Sequence, residues 1–331
     1  MNEPRTLGPW LRRFLAEHIV TERRLARNTQ KSYRDSLSLL VAFLGAKARK
    51  SADRLAVADL TAARVREFLA HLEQERGCSV ATRNQRLAAI RALARFIGSR
   101  DAARLEWCGQ IRAIETKKAV PRPISWMRKR EMESLLAVPE RRTPRGRIEH
   151  GLLLFLYNAG ARVTEATRLR VGDLEIGRGA GRHALVTLRG KGGKSRKCPL
   201  WPRTEAALAG LVEGREGGEA VFLSRLRKPY TRFGVYRLVE RCAARVPALE
   251  GRKITPHVVR HTSACHLLQA GVDLNTIRAW LGHASLDTTN IYAEIDLQTK
   301  AKAMALCDAA EPVGSRPWKE SKGLMAFLKS L

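Results

Sequence analysis

A short break near one third of the way along the chain limits the possible folds more than any other feature. In TKKAVPRPIS, residues 116–125, Pro121 and Pro123 exclude a continuous helix and the lysines Lys117 and Lys118 keep the segment in solvent. Apolar residues recur at helical spacing on both sides of it. The chain therefore reads as two folded domains joined by a basic linker. The expected limits are 1–115 for a helical domain, 116–125 for the linker, 126–310 for a second domain and 311–331 for a tail. A total of 331 residues gives each domain enough chain for its own core.

The first domain reads as all helix. In NTQKSYRDSLSLLVAFLG, Tyr33, Leu37, Leu40, Val41 and Leu44 fall on one face, with Thr29 as the expected cap and Gly45 as the expected stop. TAARVREFLAHLEQERG gathers Val65, Phe68, Leu69 and Leu72 before ending at Gly77. A third helix from Ser79 to about Ile97 buries Leu87, Ile90, Ala94 and Ile97, and carries Arg83, Arg86, Arg91 and Arg95. The second domain is mostly helical, with IEHGLLLFLYNAG expected in its core. ALVTLRGKGGKSRKCPL reads as two short strands around a Gly-rich turn. Thr255 can cap a helix whose first turn holds Pro256. The fold class is thus mainly α, with a small antiparallel β-hairpin or sheet in the second domain.

Lys and Arg number 61 against 32 Asp and Glu, a formal charge of +29. With 44% hydrophobic residues, that charge belongs to folded domains, and it calls for a polyanionic partner. Arg83, Arg86, Arg91 and Arg95, together with Lys117 and Lys118 in the linker, are the expected contacts to DNA phosphates. The cysteines Cys78, Cys108, Cys198, Cys242, Cys265 and Cys307 lie far apart with no CxxC pair, so reduced thiols are expected and no metal site. No stretch approaches the roughly 18 apolar residues of a membrane span, and the N-terminus lacks a secretory core; a cytoplasmic protein is expected.

Six residues could act on a phosphodiester without a metal: Arg162 in AGARVTEATRLRVGDL, Lys191 in LRGKGGKSRKCPL, His257 and Arg260 in HVVRH, His283 in LGHAS, and Tyr292 in NIYAE. Guanidinium forks match the non-bridging oxygens and stay charged. A histidine or lysine can protonate the leaving oxygen, and a phenol can attack phosphorus and store the bond energy in a phosphoester. Singly, each residue has a plain structural reading: a helix surface, a basic loop, a cap or core packing. Their order along the chain gives the set its weight.

That ordered set resembles the tyrosine recombinases of the phage-integrase and Xer type. The HxxR of His257 and Arg260, LGH ending at His283 and the following Tyr292 match that family's motifs. ARVTEATRLRVGDL is similar to its first arginine motif, GKGGKSRKCPL to its β-hairpin lysine motif, and residues 1–115 to its helical core-binding domain. The resemblance implies that Arg162 and Arg260 clamp the scissile phosphate, with His257 and His283 adding hydrogen bonds. Lys191 would protonate the 5′-oxygen, and Tyr292 would form a 3′-phosphotyrosyl link, with no cofactor. Lys194 and Lys197 are the fallback for Lys191 or contact the DNA backbone, and Glu165 pairs with a basic neighbour. The resemblance also implies a C-shaped clamp on double-stranded DNA. Four protomers, alike or of related recombinases, would assemble on two sites, with the apolar tail near Gly323 to Leu331 docking on a neighbour. Integration or excision of a mobile element is the expected role. Xer-type dimer resolution, a type IB topoisomerase and a non-cutting DNA-binding accessory protein are the rivals.

Overall fold

The computed structural model describes residues 5–118, 125–176, 183–190 and 193–282. Lys191, His283 and Tyr292, and the tail at 311–331, lie outside the described residues. The chain divides into two compact units, Met1–Arg122 and Pro123–Leu331.

In the first unit, α1 (Leu7–Arg12) runs on as a wider π-helical stretch over Arg13–Glu22. It is followed by α2 (Arg27–Ala48), α3 (Ala62–Gln74), α4 (Val80–Gly98) and α5 (Leu105–Arg112). The core gathers Trp10, Phe14, Leu37, Leu40, Phe68, Leu87, Ile90 and Phe96, with Trp10 edge-on to Phe96 at 6.1 Å between ring centres. Thr61 and Ser79 cap α3 and α4 by accepting from Arg64 N and Thr82 N.

Two expected boundaries of α2 need correction. The helix starts at Arg27, so Thr29 sits inside its first turn and does not cap it. Gly45 does not stop it either. The helix continues to Ala48 and ends where Arg49 takes a left-handed backbone, φ 51°. Gly45 is needed one turn earlier, because the chain folds back and Lys50 N donates to Gly45 O at 3.1 Å. A Cβ at position 45 would stand 3.0 Å from the Lys50 carbonyl oxygen.

The second unit contains α6 (Lys129–Ala137), α7 (Pro144–Ala159), α8 (Val163–Ala166), β1 (Leu174–Glu175), β2 (Leu185–Arg189), β3 (Ser195–Pro199), α9 (Pro202–Val212), α10 (Arg232–Ala243), α11 (Pro256–Gln269) and α12 (Leu274–Leu281). The central helix α7 is buried along its whole C-terminal half, Gly151–Ala159, as its unbroken apolar run requires. The strands form one antiparallel sheet in the order β1-β2-β3, with Val186 opposite Cys198 and Leu188 opposite Arg196. Buried Asn158 fastens the end of the sheet to α7: it donates to Pro199 O at 3.1 Å and accepts from Trp201 N at 2.8 Å. β1 was not expected from the sequence, being only two residues long.

Candidate active site

Arg162 stands where α7 ends and α8 begins. The central helix stops at Gly160, whose left-handed backbone (φ +53°) turns the chain so that Arg162 occupies the N-cap of α8. Glu165 Oε2 accepts from Arg162 N at 2.8 Å, the carboxylate half of a capping arrangement. The guanidinium donates from Nη1 to Glu165 Oε1 at 3.0 Å and from Nη2 to Gly282 O at 3.0 Å, while 42% of the side chain stays exposed.

Arg260 and His257 share α11, which Thr255 caps by accepting from Val258 N at 3.3 Å. Arg260 is buried. It donates from Nη1 to Gly160 O and from Nη2 to Leu281 O, the latter at 2.7 Å. Arg162 and Arg260 thus reach adjacent carbonyls, Gly282 O and Leu281 O, at the C-terminal end of α12, where carbonyl dipoles favour cations. The next residue in the sequence is His283. This brings two of the six expected residues onto one point of the fold.

His257 is exposed, one turn before Arg260. Partial desolvation lowers its pKa, and the Arg260 and Arg162 charges lower it further. A neutral imidazole at working pH can accept a proton from a phenol. Its ring centre lies 4.3 Å from that of His261, which burial, His257 and Arg260 together push down to about 4.

Glu165 and Arg196 were not among the expected catalytic or DNA-binding residues, yet they support Arg162. Glu165 is buried, and burial alone would raise its pKa. Arg196, followed by the backbone and side chain of Arg162, holds it below the ordinary carboxylate value instead. Arg196 forms a fork, Nη1 to Oε1 and Nη2 to Oε2, both at 2.9 Å. The sequence carried a signal for this. On β3 the alternation puts Arg196 on the same inward face as buried Cys198, between exposed Ser195 and Lys197. An inward-facing arginine needs a carboxylate partner.

The expected DNA contacts behave unequally. Arg83 is only 6% exposed and donates to Glu115 O at 3.0 Å. Half-buried Arg91 donates to Ile114 O, and half-buried Arg86 donates to Cys78 Sγ at 3.4 Å. Arg83 and Arg91 therefore hold the chain segment after α5 against α4, and the reading of Arg83 as an outward phosphate contact is corrected by its burial. Asn84 extends the same clamp to the Lys117 backbone at 2.7 and 3.1 Å, and Lys117 Nζ pairs with Glu73 at 2.8 Å. Arg95, Lys118 and Lys194 are exposed. Lys197 is exposed and pairs with Glu175 at 2.7 Å. No helix among the described residues is long and apolar enough to cross a membrane.

Comparison with known proteins agrees with this geometry. Residues 125–299 match the model of the phage integrase family, and residues 10–103 match that of the phage integrase N-terminal SAM-like domain. The chain belongs to the phage integrase family of tyrosine recombinases, enzymes of site-specific recombination that cleave and rejoin DNA through a tyrosine intermediate. It is 34% identical, over 100% of both chains, to the protein y4rC of Sinorhizobium fredii, named as an integrase/recombinase. It is 31% identical to tyrosine recombinase XerC of Pelobacter propionicus, over 92% of this chain and 95% of that one. Among solved structures, the Tn1549 transposon integrase in complex with transposon right end DNA aligns with a TM-score of 0.66 at 17% identity. That alignment covers 90% of this chain and 99% of the other. XerH bound to a palindromic difH substrate aligns at 0.64 and 21% identity, over 84% and 80%. At such identities these two establish a shared fold.

Proposed function

We propose that this recombinase integrates or excises a mobile element, using Tyr292 as nucleophile and Arg162 and Arg260 as the phosphate clamp. The convergence of Arg162 and Arg260 on Gly282 O and Leu281 O, one residue before His283, carries this reading. Two permanently charged forks fixed by backbone carbonyls favour the developing charge on a phosphorane over mobile water. His257, held neutral, accepts the Tyr292 proton. His283 donates to a non-bridging oxygen, and Lys191 protonates the departing 5′-oxygen, with Lys194 as the alternative. Arg95, Lys118, Lys194 and Lys197 contact DNA phosphates. The protein acts in the cytoplasm on duplex recombination sites, with four protomers of this chain or its relatives across two sites. The full-length similarity to y4rC supports a mobile-element role. The similarity to XerC favours a second reading, resolution of chromosome or plasmid dimers.

Covalent trapping tests the chemistry. Wild-type protein and Tyr292→Phe are incubated with nicked duplexes spanning the DNA beside the gene and run on a denaturing gel. The expected result is an adduct with wild type alone. An adduct that survives in Tyr292→Phe refutes the assignment of the nucleophile, and salt-sensitive binding without any adduct from wild type favours a non-cutting DNA-binding protein.

A further inference from the structure

We propose that Arg196 is a positioning residue of this active site, one that neutralises Glu165 so that Arg162 can present its charge to the phosphate. The inference rests on the assignment of Arg162 to the phosphate clamp and extends it to the strand β3. Glu165 receives donors on both oxygens from both sides. Oε1 accepts from Arg162 Nη1 and Arg196 Nη1, at 3.0 and 2.9 Å, and Oε2 from Arg162 N and Arg196 Nη2, at 2.8 and 2.9 Å. A carboxylate has about four lone-pair sites, and all are engaged.

The charge balance decides what this does. Glu165 and Arg162 alone would form a closed neutral pair with little left for an anion. With Arg196 included, the trio keeps one net positive charge. Exposure assigns that charge to one member, since the side chains of Glu165 and Arg196 are 2% and 12% exposed and that of Arg162 is 42% exposed. The buried pair thus satisfies itself, and the residual charge faces outward at Arg162.

Arg196 also fixes distances between elements that carry the site. Its Nε donates to Trp280 O at 2.7 Å, one residue before the carbonyl that Arg260 uses and two before the one that Arg162 uses. Its side chain packs against Gly282, where a Cβ would stand 3.0 Å from Nη1. β3, α8 and the C-terminus of α12 are therefore pinned to one guanidinium. A lysine could keep the charge but could not form the fork and the Trp280 bond together.

The test is single-turnover formation of the covalent adduct at saturating nicked duplex, with DNA affinity and thermal midpoint measured in parallel. Arg196→Met is expected to cut the cleavage rate roughly 100-fold, as a misaimed clamp does, while the dissociation constant for DNA changes less than about 3-fold. Glu165→Gln combined with Arg196→Met removes the carboxylate that would otherwise neutralise Arg162 and is expected to recover about tenfold of that rate. Arg196→Lys, the variant that decides if Arg196→Met is unfolded at the assay temperature, is expected to lose roughly tenfold in rate while its thermal midpoint, lowered by the lost fork, stays above the assay temperature. Wild-type cleavage by folded Arg196→Met or Arg196→Lys overturns the proposal. A double variant no faster than Arg196→Met does so too, and so does a rate loss that tracks the loss of DNA binding. If wild type itself gives no Tyr292-dependent adduct, the proposed cleavage function on which this inference rests fails instead, and the two failures are told apart by that control.

Discussion

Replacing Gly160 by alanine should damage both stability and cleavage, and the size of the stability loss follows from the local geometry. Gly160 adopts φ +53°, a left-handed conformation that costs an L-residue about 1–2 kcal/mol. The added Cβ would also run into Leu281 Cδ2. Overpacking of this kind costs about 1–3 kcal/mol, and the lower half of that range applies because a leucine terminus can swing aside. The total is about 2–4 kcal/mol. For a unit of this size each kcal/mol moves the midpoint by about 2–4 °C, so a fall of roughly 4–15 °C is expected for the second unit in calorimetry of the full chain. Cleavage should fall further than stability alone requires, because Gly160 O is one of the carbonyls that hold Arg260. Combining Gly160→Ala with Leu281→Ala should cost less than the sum of the two, by about 1 kcal/mol or more, since the second change removes the obstacle met by the first. A midpoint within about 1 °C of wild type would refute the strain argument, and strict additivity would refute the clash.

Two further perturbations separate structural from surface roles. Arg83→Ala should lower the thermal midpoint of the first unit and leave the salt dependence of DNA binding unchanged, whereas Arg95→Ala should reduce the salt slope by about one and leave stability alone; the reverse pattern in a binding titration against salt would contradict the burial of Arg83. His261 offers a pH test: its folded pKa of about 4 lies below the ordinary 6.5, so the unfolded chain alone takes up this proton between those values. The stability tied to the neutral ring is complete above pH 6.5 and drains away as pH falls toward 4, by at most about 3 kcal/mol. His261→Asn should flatten that acid limb in midpoint measurements between pH 7 and 4.5, and an unchanged slope would assign the limb to other groups.

Much of the architecture was legible because it is local. Thr61, Ser79 and Thr255 announce helix starts through their own side chains, and Gly282 marks the end of α12 by its positive φ. The two strands flanking the Gly-rich turn follow from their alternation. The fate of the arginines on α4 was less legible, because net charge says nothing about orientation. Helical spacing does: Arg83 lies on the same stripe as Leu87, Ile90, Ala94 and Ile97, all buried, while Arg95 lies off it and is exposed. What no local pattern could supply is the pairing of Arg196 with Glu165, or the use of α12 carbonyls to aim two arginines. Those contacts join residues 21 to 120 positions apart and exist only once the elements have packed.

The placement of those carbonyls also sets when, during synthesis, the three arginines acquire their partners. Arg162, Arg196 and Arg260 are all synthesised before the acceptors Trp280, Leu281 and Gly282 that aim them. A nascent or prematurely terminated chain that stops short of α12 has the basic first unit and every one of these guanidiniums, but not the carbonyls that orient them. Domains fold as units during synthesis, and contacts between distant positions close last. Until α12 has been made and packed, the three guanidiniums lack these fixed acceptors, so their arrangement is completed late in folding.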